Sequence, residues 1–306
     1  MGLTQLTEIA QQAGVPPGGR IVAFLHNQTS NAYPDYRGDL FINELLVNTF
    51  AAAAARCSKV GDTVVVLPGH AENVASTTFG SPIVAGARFV GFGRGTAQPT
   101  FTWTGTTYQL AVDVANVEFH GLKFAINGAN DITKGISITG TDCLFQDCLF
   151  DVSTDTNLHA AIAIEVGTGA HRSKFNRCKI IGYSDAITDA IKVAGVANDV
   201  EIVDCDIDVP GPAATTGVVN IGAVAALRFR MVNCTLRNTT TSSDFVFATG
   251  NAANSGCVRD CVISVLNATA LTDGISLGAA SLFQNGRNYV SNLVLESGGI
   301  QGTVST

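Results

Sequence analysis

One feature constrains this chain more than any other: a short apolar pattern that returns every 26 to 30 residues. The segments VEFHGLKF (Val117 to Phe124), CLFQDCLF (Cys143 to Phe150) and SKFNRCKI (Ser173 to Ile180) share one plan with EIVDCDI (Glu201 to Ile207), RMVNCTL (Arg230 to Leu236) and CVRDCVI (Cys257 to Ile263). The plan is an apolar residue, two residues usually polar, Cys or Leu, any residue and an apolar residue; its fourth positions are Leu122, Cys148, Cys178, Cys205, Cys234 and Cys261, separated by 26, 30, 27, 29 and 27 residues. Self-similarity at such a period is the mark of a solenoid.

A second file runs out of phase with the first. GISITG (Gly135 to Gly140), AIAIEVG (Ala161 to Gly167) and AIKVAG (Ala190 to Gly195) are followed by VVNIGA (Val218 to Ala223), FVFATG (Phe245 to Gly250) and GISLGA (Gly274 to Ala279). Aligning Ile138, Ile164, Val193, Ile221, Phe247 and Leu277 puts Ser137, Ala163, Lys192, Asn220, Val246 and Ser276 in one outward row. The next outward row is Thr139, Glu165, Ala194, Gly222, Ala248 and Gly278. Apolar and polar residues alternate, as in a strand buried on one face.

These files predict an all-β, right-handed parallel β-helix. One coil cannot bury its own apolar face, but stacked coils cover one another and supply each other's hydrogen-bond partners. At about 4.8 Å per coil, roughly eight coils make a rod on the order of 40 Å long. The eight cysteines then have a packing role, as small buried apolar side chains rather than disulfides or metal ligands. Charged residues are only 14% of the chain, which suits a surface partly covered by partners.

The net charge of −7 and the absence of a basic run speak against nucleic acid. No apolar run approaches the roughly 18 residues of a membrane span. The first residues, MGLTQLTEIAQQAG, lack the apolar core of a signal peptide, so assembly in a cytoplasm is expected.

The expected organisation is an N-terminal segment with a capping helix over residues 1–60, a β-helix over 61–281, and a C-terminal cap or assembly tail over 282–306. Leu40 to Ser58 reads as the helix, with Asp39 as its N-cap and Phe41, Leu45, Leu46, Phe50 and Ala54 on one face. Thr4 to Ala13 reads as a short helix and Ile21 to His26 as a strand.

GDTVVVLPGHAENV (Gly61 to Val74), preceded by an alanine-rich helix and by GGRIVAF, resembles the first coil of right-handed parallel β-helix proteins of the pectate-lyase-like superfamily. The resemblance covers residues 19 to 281 and is nearest the bacteriophage members of that group. It implies a phage virion structural protein, a capsid decoration or cement subunit without catalytic activity, located in the virion after assembly in the host cytoplasm. Contact with the major capsid protein belongs to that role, and self-association as a homotrimer is expected from the small, neutral outward rows. The alternative is a tail-associated receptor-binding protein or polysaccharide depolymerase of the tailspike kind, and weak carbohydrate binding belongs with it. No cofactor or metal is expected.

The catalytic signatures of polygalacturonases and pectate lyases are absent; Gly69-His70 is followed by Ala71. Glycoside hydrolysis needs two carboxyl groups facing each other, and the outward rows offer Glu165 alone. The fallback catalytic group is Asp185, Asp189, Glu165 and Lys192, with Tyr183 near the same coil. The plainer reading makes Asp185 and Asp189 turn residues. Ser137, Ala163, Asn220, Val246, Ser276, Gly222, Ala248 and Gly278 form a small, largely neutral surface suited to packing against symmetry mates. His70, His120, His159 and His171 read as isolated surface or bend residues. Asp147, Asp204, Asn233 and Asp260, each preceding a file cysteine, read as bonding to the backbone of the bend.

Overall fold

A computed structural model describes residues 9–15, 19–26, 45–74, 79, 83–105, 109–126, 132–152, 159–183, 187–210, 218–222, 225–238, 247–249, 251–265, 275–276 and 282–292. Among these, the strands form three sheets of eleven, nine and seven members, and every pair described below is parallel. The chain visits the first, second and third sheet in turn and then begins the next coil, as in Leu144–Gln146, Leu149–Asp151 and Ala160–Val166. The parallel β-helix expected from the repeat is the fold.

Each sheet sends a file of side chains inward. In the first sheet Val64, Phe89, Phe119, Phe145, Phe175, Ile202, Met231 and Val258 lie in register. The rings of Phe89, Phe119, Phe145 and Phe175 stack at centroid distances of 5.3, 4.9 and 5.5 Å. Phe101, Phe124, Phe150, Ile180, Ile207, Leu236 and Ile263 make the matching file of the second sheet. At roughly 1.5–3 kcal/mol per fully buried large side chain, these files are the main stabilising term.

Leu122 and the five file cysteines are superposed coil on coil, at the bend between the first two sheets. The N–H following each one donates to the carbonyl of its counterpart one coil earlier: Leu149 to Leu122 at 2.9 Å, Lys179 to Cys148 at 2.9 Å, Asp206 to Cys178 at 3.0 Å and Thr235 to Cys205 at 2.9 Å. All eight thiols are free, and only Cys257 is not buried.

The residues before that file have left-handed backbone: Gly121 at φ 64°, Asp147 at 54°, Arg177 at 51°, Asp204 at 55°, Asn233 at 55° and Asp260 at 56°. A second left-handed file, Asn116, Asp142, Arg172, Asp199 and Arg228, precedes the strands of the same sheet. Acid and base alternate along the second from Asp142 to Arg228, and along the first from Asp147 to Asp204, after which Asn233 stands where a base would. Arg177 pairs with Asp147 and Arg228 with Asp199, each through two bonds, and Asn233 Nδ2 donates to Asp204 at 2.6 Å. The expectation of side-chain-to-backbone bonding for Asp147, Asp204, Asn233 and Asp260 is thereby corrected. The coil spacing brings a side-chain partner from the neighbouring bend within hydrogen-bonding reach.

The helical cap is shorter than the sequence predicts. Within the described residues it spans Phe50–Ala54, and Thr49 is its N-cap, accepting from Ala52 N–H. Leu46–Val47 instead pairs as a short strand with Phe24 and Leu25, because the edge strand Arg20–Leu25 offers unpaired backbone that a helix would leave unsatisfied. Phe50 closes the core from above, stacked on Phe89 at 4.7 Å and edge-on to Phe101 at 5.5 Å. Asp39, Phe41 and the start of the Thr4 to Ala13 helix lie outside the described residues; residues 9–12 are helical. Among the described residues, strand pairing extends from Arg20–Leu25 to Tyr289–Asn292, on both sides of 61–281. No helix among the described residues is long and apolar enough to cross a membrane.

Candidate functional site

The third sheet carries the residues singled out for catalysis and for packing. Its register differs from the sequence alignment by two residues in places: Ile164 pairs with Ile136, and Phe247 with Val219. A slip of two keeps every side chain on the same face, so apolar periodicity could not detect it. The backbone register aligns Ser137, Glu165, Lys192, Asn220, Ala248 and Ser276.

This register brings charges together. Lys134 Nζ lies 2.6 Å from Glu165 Oε1, and Glu165 is the backbone neighbour of Lys192. Lys192 Nζ reaches Asp189 Oδ2 at 3.5 Å, while Asn220 Nδ2 donates to Asp189 Oδ1 at 2.8 Å. The Thr188 hydroxyl lies 3.3 Å from Asp189 Oδ2. Burial, opposed by the Asn220 bond and by Lys192, raises the Asp189 carboxyl above its ordinary range. At 1% exposure Asp189 is enclosed, so the turn reading is replaced by a strand residue held inside a hydrogen-bonded cluster. Glu165 and Asp189 therefore do not face each other across an open cleft. Asp185 lies outside the described residues, and Tyr183 is exposed.

Of the proposed contact surface, Ser137 and Gly222 are half-buried, whereas Asn220 is buried and bonded to Asp189. Ala163 is 1% exposed within the single chain. Ala248 and Ser276 hold their places by backbone register, and Val246 and Gly278 lie outside the described residues.

The histidines are more engaged than isolated surface residues would be. His70 and His159 are buried. His70 Nε2 lies 3.2 Å from Glu72 Oε2, which also accepts from the Phe50 N–H at 2.8 Å, so this pair anchors the helical cap. His171 Nδ1 accepts from the Asn198 N–H at 3.0 Å. Among the described residues no group of three or more His, Cys, Asp or Glu side chains could hold a metal ion.

A second site was missed by the sequence reading. A groove of about 1400 Å³ runs over the outer face of the first sheet. Its floor is built from Arg88 and Val90, Glu118 and His120, and Leu144 and Gln146, pairs contributed by successive coils. The bend supplies Asp147 and Arg177 along one side, with Leu149 and Lys179 beyond them. Gln12 to Gly14 and the glycine-rich turn Gly91 to Gly95 close the other. Arg88 Nε and His120 Nε2 both bind Glu118 Oε2, at 2.7 and 2.8 Å, and Arg88 also donates to the Gly14 carbonyl. The His120 bond first, then Arg88, hold the Glu118 carboxyl down at about 2 against a burial penalty. Aligning the outward positions of the first file as well as the second shows the signal: Arg88, Glu118, Leu144, Lys174, Glu201 and Arg230 alternate in charge apart from Leu144.

No family model matches this chain, and no curated protein sequence matches it either. Among solved structures it is similar to a rhamnogalacturonan lyase, at 9% identity and a TM-score of 0.45, over 88% of this chain and 87% of that one. The parallel β-helix itself rests on the strand register.

Proposed function

We propose that the chain is a bacteriophage virion structural protein, a capsid decoration subunit that serves as a stiff rod without catalytic activity. In this reading it assembles in the host cytoplasm, contacts the major capsid protein, and associates as a homotrimer through the small, neutral part of the third sheet around Gly222, Ala248 and Ser276. It uses no cofactor, nucleic acid or membrane.

The supporting observation is the use made of the charged side chains. Asp and Arg pair from coil to coil at two bends, Lys134 neutralises Glu165, and Asp189 is enclosed by Asn220 and Lys192. Carboxylates that would be free in a hydrolytic cleft here join one coil to the next. A rod tied in this way resists local opening, since each coil is held on both sides.

Particle proteomics tests the reading by copy number. Hundreds of copies per virion fit decoration, whereas a dozen or fewer place the protein in the tail. Native mass spectrometry is expected to show a trimer, and a monomer at working concentration counts against the packing surface. The groove over the first sheet, with His120, Gln146 and Lys179 converging on one space, favours a second reading as a tail receptor-binding protein or depolymerase. New reducing or unsaturated ends after incubation with host capsular polysaccharide would establish it.

A further inference from the structure

We infer that the groove over the first sheet is a docking site for an acidic, extended peptide segment of a second protein. The inference rests on the virion reading only for the source of that segment. Binding to the groove and copy number per particle are measured separately, so either can fail alone.

Charge is the first argument. The groove is lined by four cationic side chains, Arg88, Arg94, Arg177 and Lys179, against two carboxylates, Glu118 and Asp147. The local balance is therefore +2 on a chain whose net charge is −7. Glu118 is matched by Arg88, and Asp147 by Arg177. Lys179, which also lines the groove, pairs with Asp206 at 3.3 Å. Arg94 is exposed on the glycine-rich turn and belongs to none of these ion pairs. A ligand carboxylate therefore meets one cation with no partner to displace and a second held by a long, exposed pair.

Shape and polarity narrow the occupant. The lining residues come from four successive coils, Arg88, Glu118, Leu144 and Arg177 marking one each. Three intervals of about 4.8 Å give a length near 14 Å, which four or five extended residues span at about 3.3 Å each. Val90, Phe92, Leu144 and Leu149 interleave with the cations. That mixture suits a segment whose side chains alternate between carboxylate and apolar. A glycan site would present open aromatic faces, but Phe92 packs into the small cluster around Ala13, Phe24 and Val65.

The test uses fluorescence polarisation with the full chain and a fluorescein-labelled Asp-Leu-Asp-Val-Asp-Leu peptide. Saturable binding is expected, weakening several-fold between roughly 50 and 300 mM salt. The same peptide with lysine for aspartate is expected not to bind. Arg94→Glu is expected to raise Kd about threefold, and Arg94→Glu with Lys179→Glu at least about tenfold. Lys59→Glu, a matched charge change on an exposed residue outside the groove, leaves Kd unmoved. Circular dichroism verifies that each variant is folded, and Arg94→Glu alone suffices should the double variant not fold. No saturable binding, equal binding of the lysine peptide, or an equal effect of Lys59→Glu overturns the inference. Tighter binding of an oligogalacturonate than of the peptide overturns it in favour of an acidic sugar.

Discussion

Arg177 and Asp147 sit one coil apart, both in left-handed backbone, and Arg177 donates two hydrogen bonds of 2.7 and 2.8 Å to the Asp147 carboxylate. Left-handed backbone disfavours a side chain with Cβ by roughly 1–2 kcal/mol, whereas an exposed ion pair contributes at most about 1 kcal/mol. The pair does not by itself hold the bend. The ladder bonds do: Arg177 N–H donates to the Val203 carbonyl at 3.0 Å, and the next strand is fixed through Cys178.

It follows that position 177 responds to backbone preference more than to charge. Arg177→Asn is expected to stay within about 0.5 kcal/mol of the parent, because Asn tolerates this conformation. Arg177→Val, β-branched, is expected to lose about 1–2 kcal/mol. Urea denaturation midpoints distinguish the two, and equal losses would show that charge dominates.

The thiol file predicts a reactivity pattern. Burial raises Cys143 to about 11, the Cys205 thiol and then burial raise Cys234 to about 12, and Cys57 is raised to about 12 mainly by burial. Thiolate is the reactive form. At neutral pH one thiol, the half-buried Cys257, is expected to react quickly with a disulfide reagent, and all eight after denaturation. Rapid labelling of Cys178 or Cys205, detected by peptide mass spectrometry, would contradict the stacked packing.

Glu118 gives a pH dependence. Its folded value of about 2 lies below the ordinary carboxyl range, so its contribution is full above the unfolded value of about 4.3. That contribution disappears as pH falls through about 2. With the side chain about a third exposed, solvent screening reduces the effect, and Glu118→Gln is expected to cost about 1–2 kcal/mol at pH 7. The gap between parent and variant in chemical denaturation should narrow between pH 5 and about pH 2. A gap independent of pH would mean that packing, not charge, is lost.

Asp189 has the opposite sign. Its folded carboxyl titrates above the unfolded one, so ionisation weakens the fold as pH rises past the unfolded value of about 3.9. Asp189→Asn keeps an oxygen for the Asn220 amide and removes the buried charge. The variant is expected to be more stable than the parent at pH 7 and equal to it near pH 3. Loss of stability at pH 7 would show that the Lys192 contact outweighs burial.

Much of this was legible without coordinates. The spacing of Leu122 and the file cysteines identified the bend where they stack, because burial on one face forces a residue type to recur once per coil. The outward row of the third sheet was read two residues out of register at Glu165, since period-2 alternation is unchanged by such a slip. The groove was missed because Gln12, Arg94, Glu118 and Lys179 are far apart in the chain and meet only when coils stack.

The sequence by itself therefore determined the fold type, the coil length and the inward files, all of which follow from a local apolar period. Tertiary structure alone decided which polar side chains meet: Glu165 with Lys134, Asp189 with Asn220, Arg177 with Asp147. Apolar burial repeats along the chain and can be counted, but ion pairs between coils depend on register and on side-chain reach across about 4.8 Å. Neither is written in any single coil.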